Sequence, residues 1–239
     1  MVQQKIQVFE STENIKESLI SHFNRAFFFH EEIKNDFELH TLHDSLRNKD
    51  EILKQGTDQN TIFHKAIYST FDDPDYFSSD FWKSYKKLCI NIVQILKDET
   101  DFRGEWSIQR FPTIRFQFPN NVSVFEFHRD SNYSHPLGEI NCFYALNQCL
   151  NTSALQVEKN LGFEDYEPLN LKSGEYAILN TSIFKHGDLI NLTGKTRVSM
   201  DFRFIPNKHL KDVKSSLSKG ISFSSDSYFI TESAMRDLS

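Results

Sequence analysis

From about Asp101 to Pro206 the helical periodicity of the preceding residues disappears, and short runs of alternating apolar and polar residues take its place. The runs cover 106–110, 113–118, 122–128, 138–147, 154–158, 167–171, 175–180 and 197–205. Turns separate them at Pro119-Asn120-Asn121, Lys172-Ser173-Gly174 and Leu192-Thr193-Gly194, residue types that favour chain reversal. About eight short strands in one layer-forming region predict a jelly roll. With 38% hydrophobic residues, 23 phenylalanines among the aromatics, the chain fills a core without disulfides or structural metals.

The first hundred residues read differently. A short strand is expected at residues 4–10, then an N-cap at Ser11 or Thr12. A helix follows, with Ile15, Leu19, Ile20 and Phe23 on one face, running to about residue 34. The apolar Phe27-Phe28-Phe29-His30 turn is expected to be covered by the next layer. Residues 39–70 are helical but irregular, broken at Gly56, and 72–75 form a turn. Residues 77–98 predict a long amphipathic helix burying Phe81, Tyr85, Leu88, Cys89, Ile92, Val93 and Leu96, suited to bracing the outer face of a sheet. The expected organisation is a helical region at 1–100, a β core at 101–206 and an extension at 207–239, all in one structural domain. The extension, with its apolar Tyr228-Phe229-Ile230, reads as a short helix with a tail or as a cover over a site. A net charge of −6 without a basic cluster argues against nucleic acid and membrane surfaces as partners. Three cysteines outside any Cys-x-x-Cys, an N-terminus without an apolar signal core and no apolar run of membrane-spanning length lead to an expected cytoplasmic location with reduced thiols.

Chemistry concentrates in Phe125-Glu126-Phe127-His128-Arg129-Asp130. A strand there projects His128 and Asp130 from one face, so that an imidazole nitrogen and a carboxylate oxygen can take adjacent positions on one metal ion. Iron(II) in a two-histidine, one-carboxylate site needs one more histidine, and His186 in Phe184-Lys185-His186-Gly187-Asp188 supplies it. Eleven positions later Arg197 opens a run that places Val198, Met200, Phe202 and Phe204 on one face and Arg197, Ser199, Asp201 and Arg203 on the other. Arg115 lies in another core strand, where an unpaired charge is expensive to bury. It is a candidate for cosubstrate or substrate binding, or for a buried pair with Glu126. Arg203 has the alternative of an inward pair with Asp201 or Glu126.

His-x-Asp, a later histidine and a following Arg-x-Ser resemble the signature of the Fe(II)/2-oxoglutarate-dependent oxygenases. Residues 105–206 are similar to the subgroup related to phytanoyl-CoA hydroxylase and to dioxygenase-like proteins of streptomycin biosynthesis clusters. The resemblance implies an α+β fold with a mainly β core: a cupin-like double-stranded β-helix with the N-terminal helical region packed on it. It implies Fe(II) held by His128, Asp130 and His186, with 2-oxoglutarate as cosubstrate and O2 as oxidant. The activity implied is that of a dioxygenase hydroxylating a small polar metabolite with release of succinate and CO2. The retained carboxylate of Asp130 favours hydroxylation over halogenation. Arg197, helped by the Ser199 hydroxyl, is expected to hold the distal carboxylate of 2-oxoglutarate, with Arg203 as the rival and Asn141 and Arg115 as further contacts. Two other readings stay open: a non-catalytic or isomerase-like jelly-roll protein that binds sugar, and a hydroxylase of protein side chains. The oligomeric state is not legible.

Overall fold

The computed structural model describes residues 2–46, 61–123, 126–212, 217–218, 221–222 and 228–238. Gly56, the expected helix break, and Phe125, in the expected 122–128 strand, lie outside them. Helix α1 (Glu13–Phe28) starts at Thr12, whose extended backbone makes it the N-cap, and buries Ile15, Leu19, Phe23 and Phe27 at four-residue intervals. It stops at Phe28, so only Phe27 of the expected buried turn faces inward; Phe28 and Phe29 are 51% and 80% exposed. The remaining helices are α2 (Leu42–Ser45), α3 (Ile62–Phe71), α4 (Asp80–Glu99) and α5 (Glu232–Asp237). The Ser79 hydroxyl caps α4 by accepting from the Trp82 amide at 3.1 Å.

The strands are β1 (Gln7–Glu10), β2 (Trp106–Gln109), β3 (Thr113–Gln117), β4 (Ile140–Ala145), β5 (Leu155–Glu158), β6 (Tyr166–Leu169), β7 (Glu175–Leu179), β8 (His186–Gly187), β9 (Arg197–Pro206), β10 (Leu217–Ser218), β11 (Ile221–Ser222) and β12 (Phe229–Thr231). Seven of them form an antiparallel sheet in the order β1-β7-β4-β9-β2-β12, with β3 paired to β9 beside β2. A second sheet has the order β6-β5-β8, and β10 pairs β11. The expected strand at 122–128 is not a strand among its described residues. Only His128 pairs, in a single antiparallel bridge to His186. His128 thereby continues the small sheet beyond β8.

Strand β9 explains how the layers fit. Val198, Met200, Phe202 and Phe204 point outward into a core shared with α1, α3 and α4, where Tyr85 meets Phe202 edge-on at 5.1 Å and Phe27 and Phe63 pack on Phe116. The opposite face of the large sheet packs Phe143, Ala145, Ala177 and Leu179 against Leu155, Val157 and Leu169 of the small sheet. The architecture is thus mixed helix and antiparallel sheet: helices cover one face of the large sheet and the small sheet covers the other. Alternation along β9 therefore sends its charged residues, Arg197, Asp201 and Arg203, between the sheets. Cys89, Cys142 and Cys149 are buried and unpaired, and among the described residues no helix is long and apolar enough to cross a membrane.

Candidate metal centre and cavity

The bridge between His128 and His186 is closed by reciprocal backbone hydrogen bonds of 3.0 and 2.9 Å, and it sets the two imidazole centroids 4.5 Å apart. Asp130 opens a 3-10 turn, Asp130–Tyr133, instead of continuing a strand, and its amide donates to the Thr181 carbonyl at 2.9 Å. The turn carries the carboxylate back toward the histidines. Asp130 Oδ1 lies 3.6 Å from His128 Nε2 and 3.5 Å from His186 Nε2. One ligand atom from each of the three residues falls within 4.8 Å of the others. The neighbours fix which atoms face inward. His128 Nδ1 sits 2.7 Å from the Glu126 carbonyl, an acceptor, so Nδ1 carries the proton and Nε2 keeps its lone pair. Asp130 Oδ2 accepts from the Thr181 hydroxyl at 2.7 Å and from Arg203 Nη2 at 3.3 Å, which leaves Oδ1 for the shared space. Two imidazoles and a carboxylate with lone pairs converging on one point fit a divalent iron-type ion.

Charge follows the same geometry. Burial opposes ionisation of Asp130, but the Arg203 guanidinium and the two imidazoles outweigh it and hold its carboxyl well below the usual range. Burial pulls both histidines down. The partly exposed His128 is nevertheless raised by the Asp130 carboxylate and the Glu126 carbonyl, whereas the deeper His186 stays lowered, which keeps its imidazole neutral.

The triad opens on a cavity of about 760 Å3 between the sheets. Three arginines line it, each bonded differently. Arg197, 1% exposed, forms a two-pronged pair with Asp188 (2.6 and 3.2 Å) and also donates to the Ser123 hydroxyl and the Ser153 carbonyl. Arg203 touches Asp130, Asp201, Gln109 and Tyr228, with Glu139 3.0 Å from its Nε. Among the described residues Arg115 makes one bond, from Nε to Asp201 Oδ1 at 2.9 Å. Asp201 takes the partner role for which Glu126 was an alternative, because the β3–β9 and β4–β9 registers turn it inward, whereas Glu126 is exposed.

The expected residues His128, Asp130, His186, Arg115, Arg197, Arg203 and Asn141 all line this cavity. Ser199 lies opposite Arg115 in the β3–β9 register, fully buried, and does not line it. Asn141 lies opposite Arg203, and its buried Oδ1 has no hydrogen-bond partner among the described residues. Sequence reasoning missed Thr181, Asp188, Ser123 and Glu139. Asp188 had a signal, since His186-x-Asp188 repeats the His-x-Asp spacing; Thr181 had none. The extension reaches the cavity through Tyr228, just before β12, whose hydroxyl lies 3.2 Å from Arg203 Nη1.

No family model matches the chain. The streptomycin biosynthesis protein StrG of Streptomyces griseus is 30% identical over 189 residues, which span 79% of this chain and 85% of StrG. Among solved structures, HygX from Streptomyces hygroscopicus, with nickel and 2-oxoglutarate bound, superposes with a TM-score of 0.50 at 11% identity, over 99% of this chain and 96% of HygX. EvdO2 from Micromonospora carbonacea var. aurantiaca, complexed with 2-oxoglutarate, gives 0.50 at 13% identity, over 85% of this chain and 87% of EvdO2. At these identities the two solved structures speak for the fold.

Proposed function

The chain belongs to the family of the streptomycin biosynthesis protein StrG, within the Fe(II)/2-oxoglutarate-dependent non-heme oxygenases, and from that premise we propose that it is an Fe(II)- and 2-oxoglutarate-dependent dioxygenase hydroxylating a small polar metabolite. The observation that carries this reading is the convergence of His128 Nε2, His186 and Asp130 Oδ1 at the edge of an internal cavity. The two sheets are read as a double-stranded β-helix, with β8 and the His128 bridge closing its small sheet over the site.

In this reading His128, Asp130 and His186 would hold the metal at the edge of the cavity that would receive 2-oxoglutarate and O2. Bound there, iron with its cosubstrate supplies the oxidation of a substrate C–H bond, with release of succinate and CO2. The chain itself orients and shields. Thr181 and Arg203 hold Asp130 Oδ2, and the Glu126 carbonyl fixes the His128 tautomer. Phe71, Phe111 and Tyr133 line the same cavity and would give a bound substrate an aromatic surface to pack on. His135 belongs to the same lining and pairs with Glu139 at 2.8 Å.

Succinate formation from 2-oxoglutarate, with Fe(II), ascorbate and air, is the test. Activity is expected in the wild type and absent in Asp130→Ala and His186→Ala. Undiminished turnover in both variants would remove the site.

A further inference from the structure

The three side chains of the metal centre come from two separate segments, one carrying His128 and Asp130 and the other His186. Little ladder joins them: β8 is two residues long, and a single bridge pairs His128 with His186. Pairing this short is weak support for the spacing of ligand atoms.

Glu158, the last residue of β5, lies beside that junction and is fully buried. A buried carboxylate is costly unless donors surround it, and here three amides and a guanidinium do so. Oε1 accepts the amides of Gly162 and Glu164 at 2.9 and 3.3 Å. Oε2 accepts the Lys185 amide at 3.0 Å and faces Arg129 Nη2 at 3.6 Å. Both neighbours of Oε2 are next to metal-centre residues in the chain. Lys185 precedes His186, and its carbonyl accepts the Glu158 amide at 2.8 Å, so Glu158 grips it by backbone and side chain together. Arg129 stands between His128 and Asp130, and its Nε donates to the Ile183 carbonyl at 2.6 Å. Because the His128–His186 bridge is antiparallel, positions 129 and 185 stand across from each other, and one carboxylate oxygen spans them. Only an acid suits the place. An amide side chain has a single acceptor oxygen and must turn an NH2 toward donors on one side or the other.

We propose that Glu158 is a positioning residue of the metal centre, its Oε2 setting the spacing of His128, Asp130 and His186 through Arg129 and the Lys185 amide. The assignment rests on the metal-binding part of the proposed function. Its rival is a carboxylate that anchors the 159–164 turn through Oε1 and nothing more, a turn that also reaches Lys185 through an ion pair with Glu164.

Nickel affinity of the full chain, read by competition with a chelating dye while each variant is folded, separates the two, with the melting midpoint of the metal-free protein measured beside it. Glu158→Gln is expected to weaken nickel about tenfold and Arg129→Gln about fivefold, the lower range for groups that orient metal ligands. Since both act through one oxygen, the double variant is expected to fall short of the product of the two losses by more than about twofold, the margin within which independent sites multiply. Arg129→Lys, which keeps a charge but not the two-sided fork, is expected to recover part of the affinity. Gly162→Ala strains the turn at its φ of +82° on the Oε1 side, and is expected to lower the melting midpoint while nickel affinity stays at the wild-type value. In the cobalt-loaded protein the visible absorption bands, which report ligand arrangement, are expected to shift in Glu158→Gln and to overlay wild type in Gly162→Ala.

The assignment is overturned if Arg129→Gln binds nickel as the wild type does, if the two single losses multiply, or if Gly162→Ala weakens nickel as much as Glu158→Gln. Arg129, 29% exposed, tolerates replacement, so its variants decide the matter should Glu158→Gln fail to fold. A wild-type chain that takes up no nickel overturns the metal centre and the assignment with it; a wild type and variants that bind nickel equally well overturn the assignment alone.

Discussion

Arg203 is 6% exposed and stands against three carboxylates, Asp130, Asp201 and Glu139. Removing it takes one cation from three buried acids, of which Asp201 keeps Arg115 and Glu139 keeps His135, so Arg203→Ala is expected to cost about 3 kcal/mol in urea unfolding. Arg197 and Asp188 give a sharper comparison. Arg197→Met alone should lose a similar amount, roughly 3–5 kcal/mol, whereas Arg197→Met with Asp188→Leu should recover most of it, because a well-packed apolar pair replaces an ion pair at little net cost. A double variant as unstable as the single one would show that the pair holds β9 by more than charge. These partners mark where the sequence stops being informative. His128 and Asp130 are readable from their spacing of two, whereas His186 and Arg197 are reached through the order of the His-x-Asp, His and Arg-x-Ser motifs. The pairing of Arg115 with Asp201 depends on which residues of β3 and β9 stand opposite, and Thr181 reaches Asp130 from a turn after β7; neither is written in any local pattern.

Among the elements, β9 and α4 were legible because their periods are strict: alternation along ten residues in one, a continuous apolar stripe in the other. Strand β8 was not, since two residues carry no period, yet it positions His186. Gly187 sits at a close crossing, where an added Cβ would lie 2.9 Å from Phe127 Cγ and 3.1 Å from Phe127 Cα. Phe127 precedes one histidine and Gly187 follows the other, so Gly187→Ala must push the segments carrying His128 and His186 apart. Metal affinity is expected to fall by at least about tenfold, read by competition with a chelating dye. On the helical side, His22 of α1 packs its ring at a tilt against Phe81, 4.4 Å between centroids, and, since the Thr70 hydroxyl gives its proton to Ile67, donates Nε2–H to Thr70. Burial, with Arg25 nearby, lowers its pKa to about 4. Above the ordinary value of 6.5 the ring is neutral in both states and costs nothing. As pH falls from 6.5 to about 4, the unfolded chain takes up a proton that the folded chain refuses, and up to about 3 kcal/mol of stability is lost in that window. The midpoint-versus-pH curve of His22→Gln should be flatter than wild type between those limits and parallel to it above them.

At the scale of the whole molecule, the proposed function puts metal and cosubstrate between the two sheets, where they would hold both in register. Saturation at 100 times the dissociation constant stabilises the folded state by about 2.7 kcal/mol, which for a chain of this size raises the melting midpoint by roughly 5–10 °C. Differential scanning fluorimetry with nickel and 2-oxoglutarate should show that rise in the wild type and none in Asp130→Ala. Strand β9 carries oily residues toward the helices on one face and the salt-linked residues of the cavity on the other, with all ten positions buried. Each of its side chains is thus answerable to a neighbour, and a lone replacement there damages two partners at once. Acceptance of a new substrate must accordingly be learned at the rim, through Phe71, Phe111 and Tyr133, and a randomised library at those three positions should yield altered selectivity while an equal library in β9 yields mostly unfolded protein.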